Sequence, residues 1–140
     1  MVEDGHIIGN HSASHPNMAQ LSAQGMIDEW QNFDNILREA TGIERTHYAR
    51  PPEGTFSENL LKVGNENGYR HVFWSVAFKD WERDVVRGKG YPLQELTNQM
   101  HPGAIILMHT VAKDNAEALP LFIKHAKEKG YTFGSLDDLK

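Results

Sequence analysis

His11 and His15 stand four residues apart in the run Gly9-Asn10-His11-Ser12-Ala13-Ser14-His15-Pro16. Neutral imidazole is a common ligand for zinc and related divalent ions. An i, i+4 spacing puts both rings on one face if the segment winds helically. Pro16 disfavours helical backbone at His15, which places the pair on a loop after the apolar run Ile7-Ile8. The same two residues also read as ordinary surface or capping histidines. Three further groups carry chemistry. Arg50 precedes Pro51-Pro52, and two adjacent prolines cannot sit inside a strand or helix. They make a stiff mount for the guanidinium, or else a plain surface turn beside a solvated Arg. Asp80-Trp81 sets an acid beside a large ring, as a site or as a polar cap with a packed aromatic. His109 follows the apolar run Ala104–Met108, where an imidazole lines a cleft or is satisfied structurally.

The composition narrows the classes. A chain of 140 residues is the size of one domain. Its net charge of −5 offers no basic field for nucleic acid. No apolar run reaches the length of a membrane span. Met1-Val2-Glu3-Asp4-Gly5 is acidic where a signal peptide would be basic. Cysteine is absent, which excludes disulfides, thiol catalysis and thiolate metal sites.

Periodicity supplies the elements that must position these groups. Ile7-Ile8 reads as a short buried strand. Leu21 to Thr41 is a helix, capped by Ser22 and stopped by Gly42, with Met26, Trp30, Phe33, Leu37 and Ala40 on one face and Ile27 and Ile36 widening it. His47 to Ala49 is a short strand. Ser57 to Asn67 is a helix capped by Ser57. Tyr69 to Val76, aromatic and β-branched, is a strand. Pro92 to Met100 is a helix, and Ala104–Met108 has the pattern of a strand buried on both faces. Asn115 to Lys129 is a helix with Ala118, Leu119, Leu121, Phe122 and Ala126 inward and Pro120 in its first turns. Tyr131 to Phe133 is a last strand and Leu136 to Leu139 a closing turn. Alternating strands and helices predict an α/β fold with parallel strands and outer helices. All four groups fall just after a strand, where such folds place active sites.

Together the motifs resemble the polysaccharide deacetylases of carbohydrate esterase family 4, the NodB-type domain. The matching residues are His11-Ser12-Ala13-Ser14-His15, Arg50-Pro51-Pro52-Glu53-Gly54, Asp80-Trp81 and Leu107-Met108-His109. The segments Val72 to Trp81 and Tyr131 to Leu139 are similar to the δ-lactam-biosynthetic deacetylases of spore-forming bacteria, which act on N-acetylmuramic acid in peptidoglycan. The resemblance implies an incomplete, irregular (β/α) barrel spanning residues 1–140. It implies a hydrolase that cleaves the carbon–nitrogen bond of an N-acetyl group on a peptidoglycan-like or chitin-like glycan, outside the cytoplasm or in the cell envelope. By motif, His11 and His15 would hold a divalent metal, zinc first. His109 would protonate the leaving amine. Arg50 would hold a catalytic carboxylate, and Asp80 would be structural or orient His109. Pro51 and the backbone N–H of Glu53 would face the substrate, the latter binding the oxyanion, while Trp81 and Leu107 would wall the acetyl methyl.

The resemblance also has gaps. The family's first motif, a strand ending in adjacent acids that supply the base and often a third metal ligand, has no counterpart before His11. That implies the C-terminal two-thirds or so of a domain of about 200 residues. Ala77 stands where many members carry another Asp, and Glu53 where many carry an aromatic. Two imidazoles make a weak, open zinc site, and a missing strand leaves an unpaired edge that favours self-association. Two other readings follow: a non-catalytic carbohydrate-binding fragment, and an unrelated metallohydrolase completed by a partner chain.

Overall fold

Helix α1 (Ala23–Thr41) begins where the Ser22 hydroxyl accepts a hydrogen bond from the Gly25 N–H, and ends at Gly42, whose left-handed φ of 77° closes the last turn on the Arg38 carbonyl. Its buried stripe is Met26, Trp30, Asp34 and Leu37. Ile36, read from the sequence as widening that face, is 60% exposed, because one residue is a 100° turn from the Leu37 direction. Ala40 is exposed as well. Helix α2 (Glu58–Glu66) is capped by the Ser57 hydroxyl, which accepts from the Leu60 N–H, and buries Leu60 and Val63.

These helices flank a small parallel ladder. Strand β1 (Tyr48–Ala49) pairs with β2 (Arg70–His71) in the register Tyr48 to Arg70 and Ala49 to His71, and Asn10 bridges Ala49, also in parallel. Pairing therefore starts at Asn10. The expected strand at Ile7-Ile8 is not formed; Ile7 is exposed beside a turn at residues 1–6. Met18, Met26, Trp30, Ala49, Leu60, Val63 and Tyr69 make the core of this unit, Met1–Phe73.

A second unit runs from Trp74 onward, with helices α3 (Gly90–Gln99) and α4 (Lys113–Glu128) around a core of Val76, Phe78, Leu96, Phe122 and Ala126. Its parallel pairing is a single bridge, Val76 to Ile106. Ala104, Ile106 and Met108 pack on that core. The run 104–108 thus buries alternate residues on one face and is only half-buried overall, rather than buried on both faces. In α4 the inner stripe is Ala118, Phe122 and Ala126 at four-residue steps, so Leu119 and Leu121 point outward, 43% and 41% exposed. Pro120 lies inside the helix on its exposed side, not in its first turns. Tyr131 to Phe133 forms no strand, since the Tyr131 N–H closes on the Ala126 carbonyl and its ring packs on the core. A single 3-10 turn, Leu136–Asp138, closes the chain under a Ser135 cap. The computed structural model describes residues 1–139. No described helix is long and apolar enough to cross a membrane.

Candidate functional site

In the first unit the histidine loop hangs from α1 by buried polar groups. The Asn10 side chain donates to the Trp30 carbonyl at 3.0 Å and approaches Asp34 at 3.1 Å and Thr46 at 3.2 Å. Its oxygen accepts the Ser12 N–H at 3.0 Å. Asp34 also accepts the Thr46 hydroxyl at 2.6 Å and the Tyr69 hydroxyl at 2.8 Å. Burial, with the Asp34 hydrogen bond and charge adding to it, pushes the Tyr69 phenol well above its ordinary value. On the other side of the loop the Glu29 carboxylate accepts the Ala13 and Ser14 N–H groups, each at 2.9 Å, and the Ser14 hydroxyl at 2.7 Å. Partial burial opposes ionisation of Glu29, but these three bonds outweigh it and hold the carboxyl below its ordinary value.

The loop these anchors hold is strained where its chemistry sits. Ser12 has φ 64°, His15 φ 61° and Glu53 φ 58°, the positive-φ residues other than glycine among those described. Each costs on the order of 1–2 kcal/mol relative to ordinary backbone, and all three lie in the candidate motifs. The Ser12 hydroxyl offsets part of this by accepting the His15 N–H at 3.0 Å.

His11 Nδ1 lies 2.7 Å from the Arg50 carbonyl, which can only accept, so Nδ1 carries the proton and Nε2 the lone pair. Arg50 Nη2 approaches that lone pair at 3.3 Å. The rings of His11 and His15 meet edge to face, centroids 5.1 Å apart. A carbonyl that fixes the tautomer and leaves the lone pair on the other nitrogen is the support an imidazole metal ligand needs, and His11 has it, with the His15 ring beside it. Among the described residues no group of three His, Cys, Asp or Glu gathers to complete such a site. Pro51 and Pro52 are buried, and their carbonyls accept the Gly54 and Thr55 N–H groups in a tight turn that carries Glu53 with its side chain exposed.

The second unit brings Asp80, Trp81 and His109 together. Asp80, only 4% exposed, accepts the His109 Nδ1–H at 2.6 Å and the His109 main-chain N–H at 2.7 Å. Nδ1 is thereby the nitrogen that donates to Asp80, and Nε2 is the one left for other partners. The Trp81 ring, 56% exposed, lies 6.1 Å from the His109 ring at an interplanar angle of 67°. Leu107 is half-buried and fixed by its N–H on the Val76 carbonyl. Two residues passed over in the sequence complete these arrangements. Glu29 supports the histidine loop, and Asn115 supports Asp80 through a 2.6 Å hydrogen bond. Both were legible only as helix residues, since nothing local tells a carboxylate or amide that it will cap a distant loop.

Comparison with known proteins adds the following. The family model described as Polysaccharide deacetylase matches residues 1–72. The chain is 52% identical over 139 residues to an uncharacterized 30.6 kDa protein of Geobacillus stearothermophilus, covering 99% of this chain and 52% of that one. It is 48% identical to the peptidoglycan-N-acetylmuramic acid deacetylase PdaA of Bacillus subtilis, covering 99% and 53%. The solved structure of that PdaA, a family 4 carbohydrate esterase, superposes with a TM-score of 0.94 at 47% identity, covering 99% of this chain and 59% of that one. A family 4 pseudoenzyme from Bacillus anthracis superposes with a TM-score of 0.87 at 33% identity, covering 99% and 47%. The chain spans about half the length of the curated relatives it matches.

Proposed function

The chain belongs to the polysaccharide deacetylase family and has its α/β fold class, and from that premise we propose that it takes part in hydrolytic removal of acetyl groups from N-acetylated cell-wall polysaccharide. Peptidoglycan N-acetylmuramic acid is the substrate, by likeness to PdaA. The observation that carries this reading is the His109–Asp80 bond at 2.6 Å. It supports His109 as the general acid: with Nδ1–H on a buried carboxylate, Nε2 delivers the proton the leaving amine needs, and the carboxylate stabilises the imidazolium. Trp81 and Leu107 bound the acetyl methyl. The Glu53 N–H binds the developing oxyanion, a contribution of roughly 10²–10³ in rate for such donors. Arg50 would hold the carboxylate that acts as base in the family, for which no residue before His11 is a counterpart, and Pro51 sets the loop against the glycan. A divalent ion, zinc first, held by His11 and His15, would polarise the amide and acidify a water. The reaction belongs outside the cytoplasm, at the cell envelope.

The test is acetate release from N-acetylated muramyl glycan and from chitin oligomers, with zinc and with chelator. His109→Ala is expected to lower release by about 10²–10⁴-fold, the range of a general acid. His11→Ala is expected to abolish the zinc dependence. Release that is indifferent to both substitutions would overturn the assignment. A second reading, a glycan-binding domain without turnover, is favoured by the absence of a third metal-ligating residue beside His11 and His15 among the described residues. It predicts retention on muramyl glycan with no acetate under any condition, and by the same token the proposed activity of this chain alone is impaired.

A further inference from the structure

Helix α4 opens with two buried polar residues, Asp114 and Asn115, 8% and 5% exposed. A polar side chain is buried without loss only when its hydrogen bonds are made. Asn115 uses its amide nitrogen twice. Nδ2 lies 2.6 Å from Asp80 Oδ2 and 2.9 Å from the His109 carbonyl. A carboxylate and a carbonyl can only accept, so both amide hydrogens are committed and the orientation of the amide is fixed. One hydrogen goes to the acid that holds the His109 ring, and the other to the main chain of His109 itself.

We propose that Asn115 is a positioning residue for His109, a single amide that ties the Asp80 carboxylate and the His109 backbone into one rigid unit and so fixes which way Nε2 points. This rests on the reading of His109 as general acid, but its geometry stands apart from turnover. Asp80 takes three donors, the His109 Nδ1–H, the His109 N–H and the Asn115 amide. The first two join Asp80, at the end of the segment that carries Val76 and Phe78, to His109, at the end of the 104–108 segment. The third brings in a further element, since Asn115 belongs to α4. Without it, the Asp80–His109 pair loses its link to the helix and one restraint on the direction of the ring. The neighbouring Asp114 serves a different loop: its Oδ2 accepts the Arg87 N–H at 2.7 Å and the Gly88 N–H at 2.9 Å, closing the segment that carries Trp81.

The discriminating measurement is nitrogen-15 NMR of the His109 ring in the whole chain, which needs no turnover. The parent protein is expected to give a far-downfield Nδ1–H resonance protected from exchange with water. Asn115→Ala and Asn115→Leu, which fills much of the same space and donates nothing, are each expected to speed that exchange about tenfold or more, the scale of a hydrogen bond to a charged group. Asn115→Ser, with one hydroxyl donor and the mildest disturbance of folding, is expected to fall between. Asp114→Ala loosens the Trp81 loop and is expected to leave the resonance in place. An unchanged His109 signal in the folded Ser and Leu variants overturns the positioning role. Loss of acetate release in the parent chain with the NMR pattern intact overturns the deacetylase reading instead.

Discussion

Glu29 carries more of the first unit's chemistry than its place in the middle of α1 suggests. Three hydrogen bonds converge on its carboxylate from Ala13 and Ser14, two of the three residues between the two histidines. Glu29→Gln keeps the shape and removes the charge, and is expected to cost about 1 kcal/mol at neutral pH, the size of a partly exposed charge-assisted bond. Because the folded carboxyl is held below its ordinary value, the stability it contributes is present above that value and is lost as pH falls through the lower, folded one. The gap in melting temperature between parent and Glu29→Gln is therefore expected to close in acid, below the usual carboxylate range. A gap independent of pH counts against the role. The histidines, Arg50, Asp80 and His109 were all visible in the sequence, because each is a chemical type beside a strand end. Glu29 and Asn115 were not, because their partners lie 15 and 35 residues away and no local pattern encodes the meeting.

At the scale of elements, the packing of α2 on β2 leaves no slack. A Cβ built on Gly64 would stand 2.1 Å from Cε1 of His71, whose ring also meets Trp30 edge to face at 5.6 Å. Gly64→Ala must push the imidazole or the helix aside, and is expected to destabilise by about 1–3 kcal/mol in a denaturant melt, as overpacking does. His71 Nε2 is buried and has no hydrogen-bond partner, and burial lowers the pKa of the ring. The unfolded chain therefore takes up the proton first. Stability from this site is complete above the ordinary histidine range and declines as pH falls through it, a decline that His71→Phe is expected to remove. Helix ends were legible to within a residue or two, from Ser22, Gly42 and Ser57, since capping is local. Strand lengths were not. Apolar runs such as Ala104–Met108 announce burial, but pairing depends on what lies alongside, and here only Ile106 bridges.

For the whole molecule, the alternating order of elements was enough to name the class, because every pairing among the described residues is parallel. Each core is drawn from within its own unit, and each unit carries its own set of candidate residues. Zinc binding at His11 and His15 is accordingly expected to register as stabilisation of the folded chain, rising with concentration and reaching about 2.7 kcal/mol at a hundredfold excess over Kd. Chelator should reverse the shift and His11→Ala should abolish it. A melting temperature indifferent to zinc would remove the metal from the proposed chemistry of this chain.

His11 and the proposed general acid His109 have their tautomers set by partners of different kinds. His109 reads a side chain, the carboxylate of Asp80, and that instruction vanishes with a single substitution there. His11 reads a peptide carbonyl at position 50, which every amino acid supplies. A single substitution at position 80 would therefore release the tautomer of the proposed general acid. The ring of His11 would keep its Nε2 lone pair through any replacement of Arg50 that leaves β1 in register, so the proposed metal-ligating nitrogen outlasts substitutions that would disarm the proposed general acid.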